Sequence, residues 1–82
     1  MRVEILFFGR YSDLEAPGRV ELPGGVDSLG AVADWLRTQD ERFAAIHDRT
    51  GNSIVVNGEL VRGDAPVSAG DEIAFLSMAS GG

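Results

Sequence analysis

The stretches Arg2-Val3-Glu4-Ile5-Leu6-Phe7-Phe8-Gly9 and Gly70-Asp71-Glu72-Ile73-Ala74-Phe75-Leu76 decide the fold of this 82-residue chain. In the first, Val3, Ile5 and Phe7 alternate with Arg2, Glu4, Leu6 and Phe8, the period-two pattern of a strand, and Gly9 ends it. In the second, Ala69-Gly70-Asp71 turns the chain into a strand from Glu72 to Leu76. Successive side chains of a strand point to opposite faces, so Val3, Ile5, Phe7, Ile73 and Phe75 make one apolar face. The opposite rows, Arg2-Glu4-Leu6-Phe8 and Glu72-Ala74-Leu76, begin polar and turn apolar toward the C-terminal end of each strand.

Working outward from these two stretches, Tyr11-Ser12-Asp13-Leu14 suits a short helical turn before Pro17-Gly18. Arg19-Val20-Glu21-Leu22 alternates again and is stopped by Pro23-Gly24-Gly25. Asp27 or Ser28 can cap a helix whose apolar stripe is Leu29, Val32, Ala33 and Leu36. Trp35 lies beside that stripe and is expected to be partly buried. A second helical piece from Asp40 to His47 is expected to bury Phe43 and Ile46 and to leave His47 on the surface. Thr50-Gly51-Asn52 reads as a turn and Ile54-Val55-Val56 as a strand. Asn57-Gly58 is a strong two-residue hairpin signal, with Leu60-Val61 as the return. Two strands before one main helix and the rest after it predict an α+β domain, a mixed sheet packed on that helix. The first and last strands then lie side by side and parallel in the middle of the sheet.

In that arrangement Leu6, Phe8, Ala74 and Leu76 converge into one exposed apolar patch, which with a polar rim marks a protein interface. The chain leaves this patch and ends in Ser80-Gly81-Gly82. Glycines have no Cβ, so Gly81 and Gly82 can lie extended and enter a slot too narrow for any side chain. Small residues are also common at frayed chain ends, and the same dipeptide at Gly24-Gly25 is a loop. The pair takes its weight from its position.

Composition narrows the functional classes. One domain of this length buries only about 60% of its unfolded surface, so partner contacts matter. The hydrophobic fraction of 44% suits a packed fold. The net charge of −6 disfavours nucleic acid and anionic membranes and suits a basic protein partner or solubility. All seven basic residues are arginine. There is no cysteine, hence no disulfide, thiolate metal site or cysteine nucleophile. The N-terminus lacks the pattern of a secretory signal, and no stretch approaches the ~20 apolar residues of a membrane span, so a cytoplasmic protein is expected.

Ordinary catalytic groups are missing. His47 is the single histidine and has no nucleophile beside it in sequence; Asp40-Glu41 and Asp71-Glu72 suit a helix start and a turn. The glycines form no phosphate loop, since no G-x-x-x-x-G-K is present. No metal site is expected. The terminal carboxylate of Gly82 remains as the reactive candidate.

Ile5-Leu6-Phe7-Phe8-Gly9, Val56-Asn57-Gly58 with Leu60-Val61, Gly70-Asp71-Glu72-Ile73-Ala74-Phe75 and Gly81-Gly82 together resemble the small, sulfur-carrying subunit of molybdopterin synthase, a ubiquitin-like family with the β-grasp fold. The resemblance covers essentially the whole chain. It implies a β-grasp domain over residues 1–76 and a flexible tail over residues 77–82. It further implies that an ATP-using activating enzyme adenylates the Gly82 carboxylate, that a sulfur donor converts it to a thiocarboxylate, and that the sulfur passes to a pyranopterin precursor. The domain would be the non-catalytic subunit of a heterotetramer with a large catalytic subunit, and would hold no cofactor itself. Partner contacts are expected at Phe8, Leu60, Ala74 and Leu76 and along Ser77, Met78, Ala79 and Ser80, with Gly81 threading and Gly82 reacting. Family members often carry a proline pair in the tail; Leu76-Ser77-Met78-Ala79-Ser80 stands here instead and leaves it looser. The competing readings are a sulfur carrier for thiamine, tRNA thiolation or an amino acid, and a ubiquitin-like protein modifier. With no lysine, such a modifier could not chain onto itself through one.

Overall fold

Among the described residues, five strands, two helices and one 3-10 turn follow one another in the order expected from the sequence pattern. A computed structural model describes residues 1–49 and 52–77. Strand β1 is Arg2–Gly9, a 3-10 helix follows at Arg10–Asp13, and β2 is Gly18–Glu21. Helix α1 is Leu29–Gln39 and helix α2 is Glu41–His47. The remaining strands are β3, Asn52–Val56; β4, Glu59–Val61; and β5, Glu72–Ser77. Sheet order is β2-β1-β5-β3-β4, with β1 and β5 parallel and the other pairs antiparallel.

Local chemistry fixes the element ends. Ser28 caps α1, its hydroxyl accepting from the Ala31 amide at 3.1 Å. Asp40 adopts an extended backbone, which stops α1, and its carboxylate accepts from the Arg42 amide at 2.8 Å to start α2. Asn57 (φ 52°) and Gly58 (φ 85°) both take positive φ, the geometry of the two-residue hairpin that joins β3 to β4. That turn is bolted to the start of β5. The Asn57 side-chain amide donates to Asp71 Oδ1 at 2.9 Å, and its carbonyl oxygen accepts from the Glu72 amide at 2.9 Å. The Asn57 backbone amide donates to the Glu72 carbonyl, also at 2.9 Å. Val56-Asn57-Gly58 and Gly70-Asp71-Glu72 thus hold one another, which is the physical content of their joint appearance in the sequence. Asp71 serves the turn read from the sequence, while Glu72 is already the first residue of β5.

The core lies between the sheet and α1. Val3, Ile5, Ile73 and Phe75 face Leu29, Val32, Ala33 and Leu36, all buried, and Phe43 of α2 closes one end. Trp35 packs partly buried against this cluster, and so does Ile46. The mixed sheet on one main helix is the β-grasp arrangement. One inward residue differs from expectation: Phe7 packs against Tyr11 and Phe43 but is only half-buried, because it lines a surface crevice of about 240 Å³ with Leu14, Leu36 and Phe43.

Candidate functional site

The parallel register of β1 on β5 sets Leu6 beside Ala74 and Phe8 beside Leu76. On the far side of β5, Ala74 neighbours Val55 and Leu76 neighbours Ser53; Val55 in turn neighbours Leu60. The outer face therefore carries one apolar row across four strands, Leu6–Ala74–Val55–Leu60, and beside it a second, Phe8–Leu76–Ser53. A polar row, Arg19–Glu4–Glu72, lies on the other side of the first. Neighbouring side chains on one face of a sheet stand about 5 Å apart, so each row is continuous.

Exposure is concentrated at two points. Phe8 is 49% exposed and Leu60 55%, on opposite flanks, while Leu6, Val55 and Leu76 are half-buried between them. Ala74 is a correction to the sequence reading. It sits centrally on this face but is only 7% exposed, because the larger Leu6 and Val55 overhang its methyl group from both sides. It forms the floor of the patch, with Phe8 and Leu60 as its projecting edges. Val55 was missed, although its place between the inward Ile54 and Val56 gives its direction.

The same end of the sheet holds the root of the tail. β5 runs through Ser77, one residue past the expected strand end; Ser77 is 5% exposed and pairs with Gly9 on one side and Asn52 on the other. Gly9 has φ 64°, and a Cβ there would fall 2.1 Å from the Ser77 carbonyl oxygen. Only glycine lets β1 approach the departing strand this closely. Met78, Ala79, Ser80, Gly81 and Gly82, the expected contact, threading and reacting positions of the tail, lie outside the described residues.

Beneath the root is a polar cluster that the sequence reading did not find. The Asn52 side-chain amide donates to the carbonyls of His47 at 2.7 Å and Arg49 at 2.8 Å, which fixes its orientation and leaves Oδ1 facing the Tyr11 hydroxyl at 2.9 Å. That hydroxyl must then donate to Oδ1. His47 Nδ1, 3.0 Å from the same hydroxyl, therefore carries a hydrogen and donates to it. The His47 ring stacks on Phe43 with centroids 5.2 Å apart. His47 is thus half-buried and structural, not the free surface histidine expected from its place on a short helix. Burial holds its pKa below the usual histidine value, helped by the Arg37 guanidinium and opposed by Asp48 and Asp34. Burial, with Asp48 nearby, pushes the Tyr11 phenol up to about 12. No signal in the sequence could have paired residues 36 positions apart.

Among the described residues no group of three or more histidine, cysteine or acidic side chains could hold a metal ion, and no helix is long and apolar enough to cross a membrane. The site offers a partly exposed apolar face and a braced strand end.

The family model described as the ThiS family matches residues 5–82, from within β1 to the terminal glycine. The chain belongs to the ThiS family. It is also similar to the molybdopterin synthase sulfur carrier subunit of Escherichia coli (strain K12), 28% identical over 80 residues, which span 98% of this chain and 99% of that protein. Membership in the ThiS family agrees with the ubiquitin-like sulfur-carrier resemblance carried by the strand and turn motifs, and with the β-grasp arrangement of the sheet.

Proposed function

We propose that this ThiS-family domain is a sulfur carrier that delivers sulfur from the C-terminal carbonyl of Gly82 to a pyranopterin precursor, as the small subunit of a molybdopterin synthase. The observation that carries the reading is the pairing of a family match extending to Gly82 with an apolar outer face located beside the strand end that leads to it. Full-length similarity to a molybdopterin synthase sulfur carrier subunit favours this pathway over thiamine, tRNA or amino-acid thiolation.

The chemistry follows from the residues. A carboxylate oxygen is a poor leaving group, so an activating enzyme uses ATP to form the Gly82 acyl adenylate and releases pyrophosphate. A sulfur donor then displaces AMP and leaves a thiocarboxylate. The chain has no cysteine that could carry a persulfide instead. In the synthase, a large catalytic subunit docks on Phe8, Leu60 and Leu76 and positions the tail against the precursor, so the transfer gains from proximity and orientation. The domain itself binds no cofactor and works in the cytoplasm, where these enzymes and ATP are found.

Deletion of Gly82 tests this. The shortened chain is expected to melt at the wild-type temperature, because Gly82 follows the end of β5 at Ser77 by five residues, and to lose all sulfur transfer in a reconstituted assay. Intact mass after ATP, activating enzyme and sulfur donor should show one oxygen exchanged for sulfur, located on Gly82 by fragmentation. Unchanged turnover of the shortened chain would overturn the proposal. A stable amide to a partner lysine as the main product would favour the modifier reading.

A further inference from the structure

Every basic residue of the chain is arginine, and lysine does not occur. The register gathers three of these arginines at one end of the sheet. β1 and β5 run parallel, so Arg10, directly after Gly9, stands at the end where Ser77 closes β5. β3 starts at that end, with Asn52 opposite Ser77, and the Asn52 amide holds the Arg49 carbonyl at 2.8 Å. β4 finishes there, and Arg62 follows Val61, the partner of Ile54. Arg10, Arg49 and Arg62 are all exposed. Three arginine positions therefore lie at the end of the sheet where β5 finishes.

A guanidinium keeps its proton and has no free lone pair to offer a carbonyl, whereas a lysine amine is a competent nucleophile toward an activated acyl group. Among the described residues, the remaining phenol, imidazole and α-amino groups offer no lasting bond to the tail. The Tyr11 hydroxyl is buried and donates to Asn52; the His47 ring is half-buried against Phe43, and an acyl group on an imidazole nitrogen is lost to water instead of persisting as an amide. The α-amino group of Met1 lies 2.9 Å from Glu21 Oε2, at the opposite end of β1.

We propose, resting on the carrier reading above, that arginine replaces lysine around the root of the tail so that the activated C-terminus meets no amine within its reach on its own domain. The reaction avoided is simple. An amine nitrogen attacks the Gly82 carbonyl carbon of the acyl adenylate, an amide C–N bond forms, the C–O bond to phosphate breaks, and AMP and a proton leave. The carrier would then be closed into a ring or joined to another copy, with no carboxyl left to accept sulfur. The five residues from Met78 to Gly82 span at most about 17 Å when extended. A lysine at position 10, 49 or 62 falls within that reach and meets the adenylate at an effective concentration on the order of millimolar. Arg2 does not: β1 rises about 3.3 Å per residue, which puts Arg2 roughly 23 Å from Gly9.

The test is to compare Arg10→Lys, Arg49→Lys, Arg62→Lys and Arg2→Lys with the wild type. Each is incubated with a sulfur-carrier adenylating enzyme and ATP at mildly alkaline pH, without a sulfur donor, and read by intact mass. Pyrophosphate release is followed in parallel. The wild type is expected to return at its starting mass. The three lysines near the root should accumulate a monomer lighter by one water, its new amide located on the introduced lysine, at more than about tenfold the level seen for Arg2→Lys. Normal pyrophosphate release with no such product in any variant would overturn the inference and leave the carrier reading standing. Equal product from Arg2→Lys would overturn the role of position. Absence of pyrophosphate release from the wild type would overturn the carrier reading, and this inference with it.

Discussion

Phe75 and Phe8 lie on neighbouring strands, β5 and β1, separated by a single register step, yet one is fully buried and the other half in solvent. Phe75 faces Phe43 edge-on at 5.3 Å and Tyr11 at 5.9 Å, inside the aromatic cluster that closes the core. Phe8 points the other way and neighbours only Leu76 across the strands. Both are apolar, so composition cannot tell them apart. Only the parity of the strand puts one in the core and the other on the surface. The inner face holds the domain together, and the outer face has been left unpaid for by any core contact.

The contrast can be broken most severely from the inside. Phe75→Ala is expected to cost about 3–5 kcal/mol of folding stability, as for other buried aromatics. In a domain this small that approaches the whole margin, so denaturant melts should show it near its midpoint in dilute buffer. Phe8→Asp should do the reverse. Its melting temperature should stay within a few degrees of wild type, while affinity for the docking subunit falls by about 2 kcal/mol, roughly 30-fold, in calorimetry. If Phe8→Asp unfolds the domain and Phe75→Ala does not, the register of β1 on β5 is wrong by one residue.

A smaller effect sharpens the comparison, since it concerns the boundary between the two faces. The folded state holds the His47 pKa below its ordinary value through burial and Arg37. A group depressed in this way binds its proton more readily in the unfolded chain. Its contribution is therefore complete above the ordinary histidine range and is lost as pH falls through that range toward the lower folded value. Wild-type stability should decline modestly there relative to His47→Gln, measured by thermal melts at stepped pH. Parallel curves for the two proteins would remove His47 from the account.

How much of this was legible in the sequence depends on how far apart the partners lie. Strand parity is a local property, so the inward Val3, Ile5, Ile73 and Phe75 and the outward Phe8 and Leu76 followed from alternation alone. Asn57-Gly58 announced its hairpin because only a few residue types tolerate positive φ at both positions. Ala74 was misjudged because its exposure depends on the size of Leu6 and Val55, contributed by two other strands. His47 was misjudged for the same kind of reason, since Tyr11 and Asn52 come from different elements. Phe7 kept its direction but not its burial, because the crevice beside it depends on how α2 docks.

The central position of β5 has one more consequence, for the order of events in synthesis. Before β5 is made, β1–β2 and β3–β4 are two separate hairpins, each with an unpaired edge and no shared sheet. β5, the last strand of the described residues, is the one that joins them, pairing with β1 roughly seventy residues upstream, and such distant pairing slows folding. A chain truncated before residue 72 thus lacks the strand that completes the core and cannot become a stable domain. Structural completion therefore waits for residues 72–77: a molecule that carries Phe8 and Leu60 on one continuous sheet has already been translated through β5.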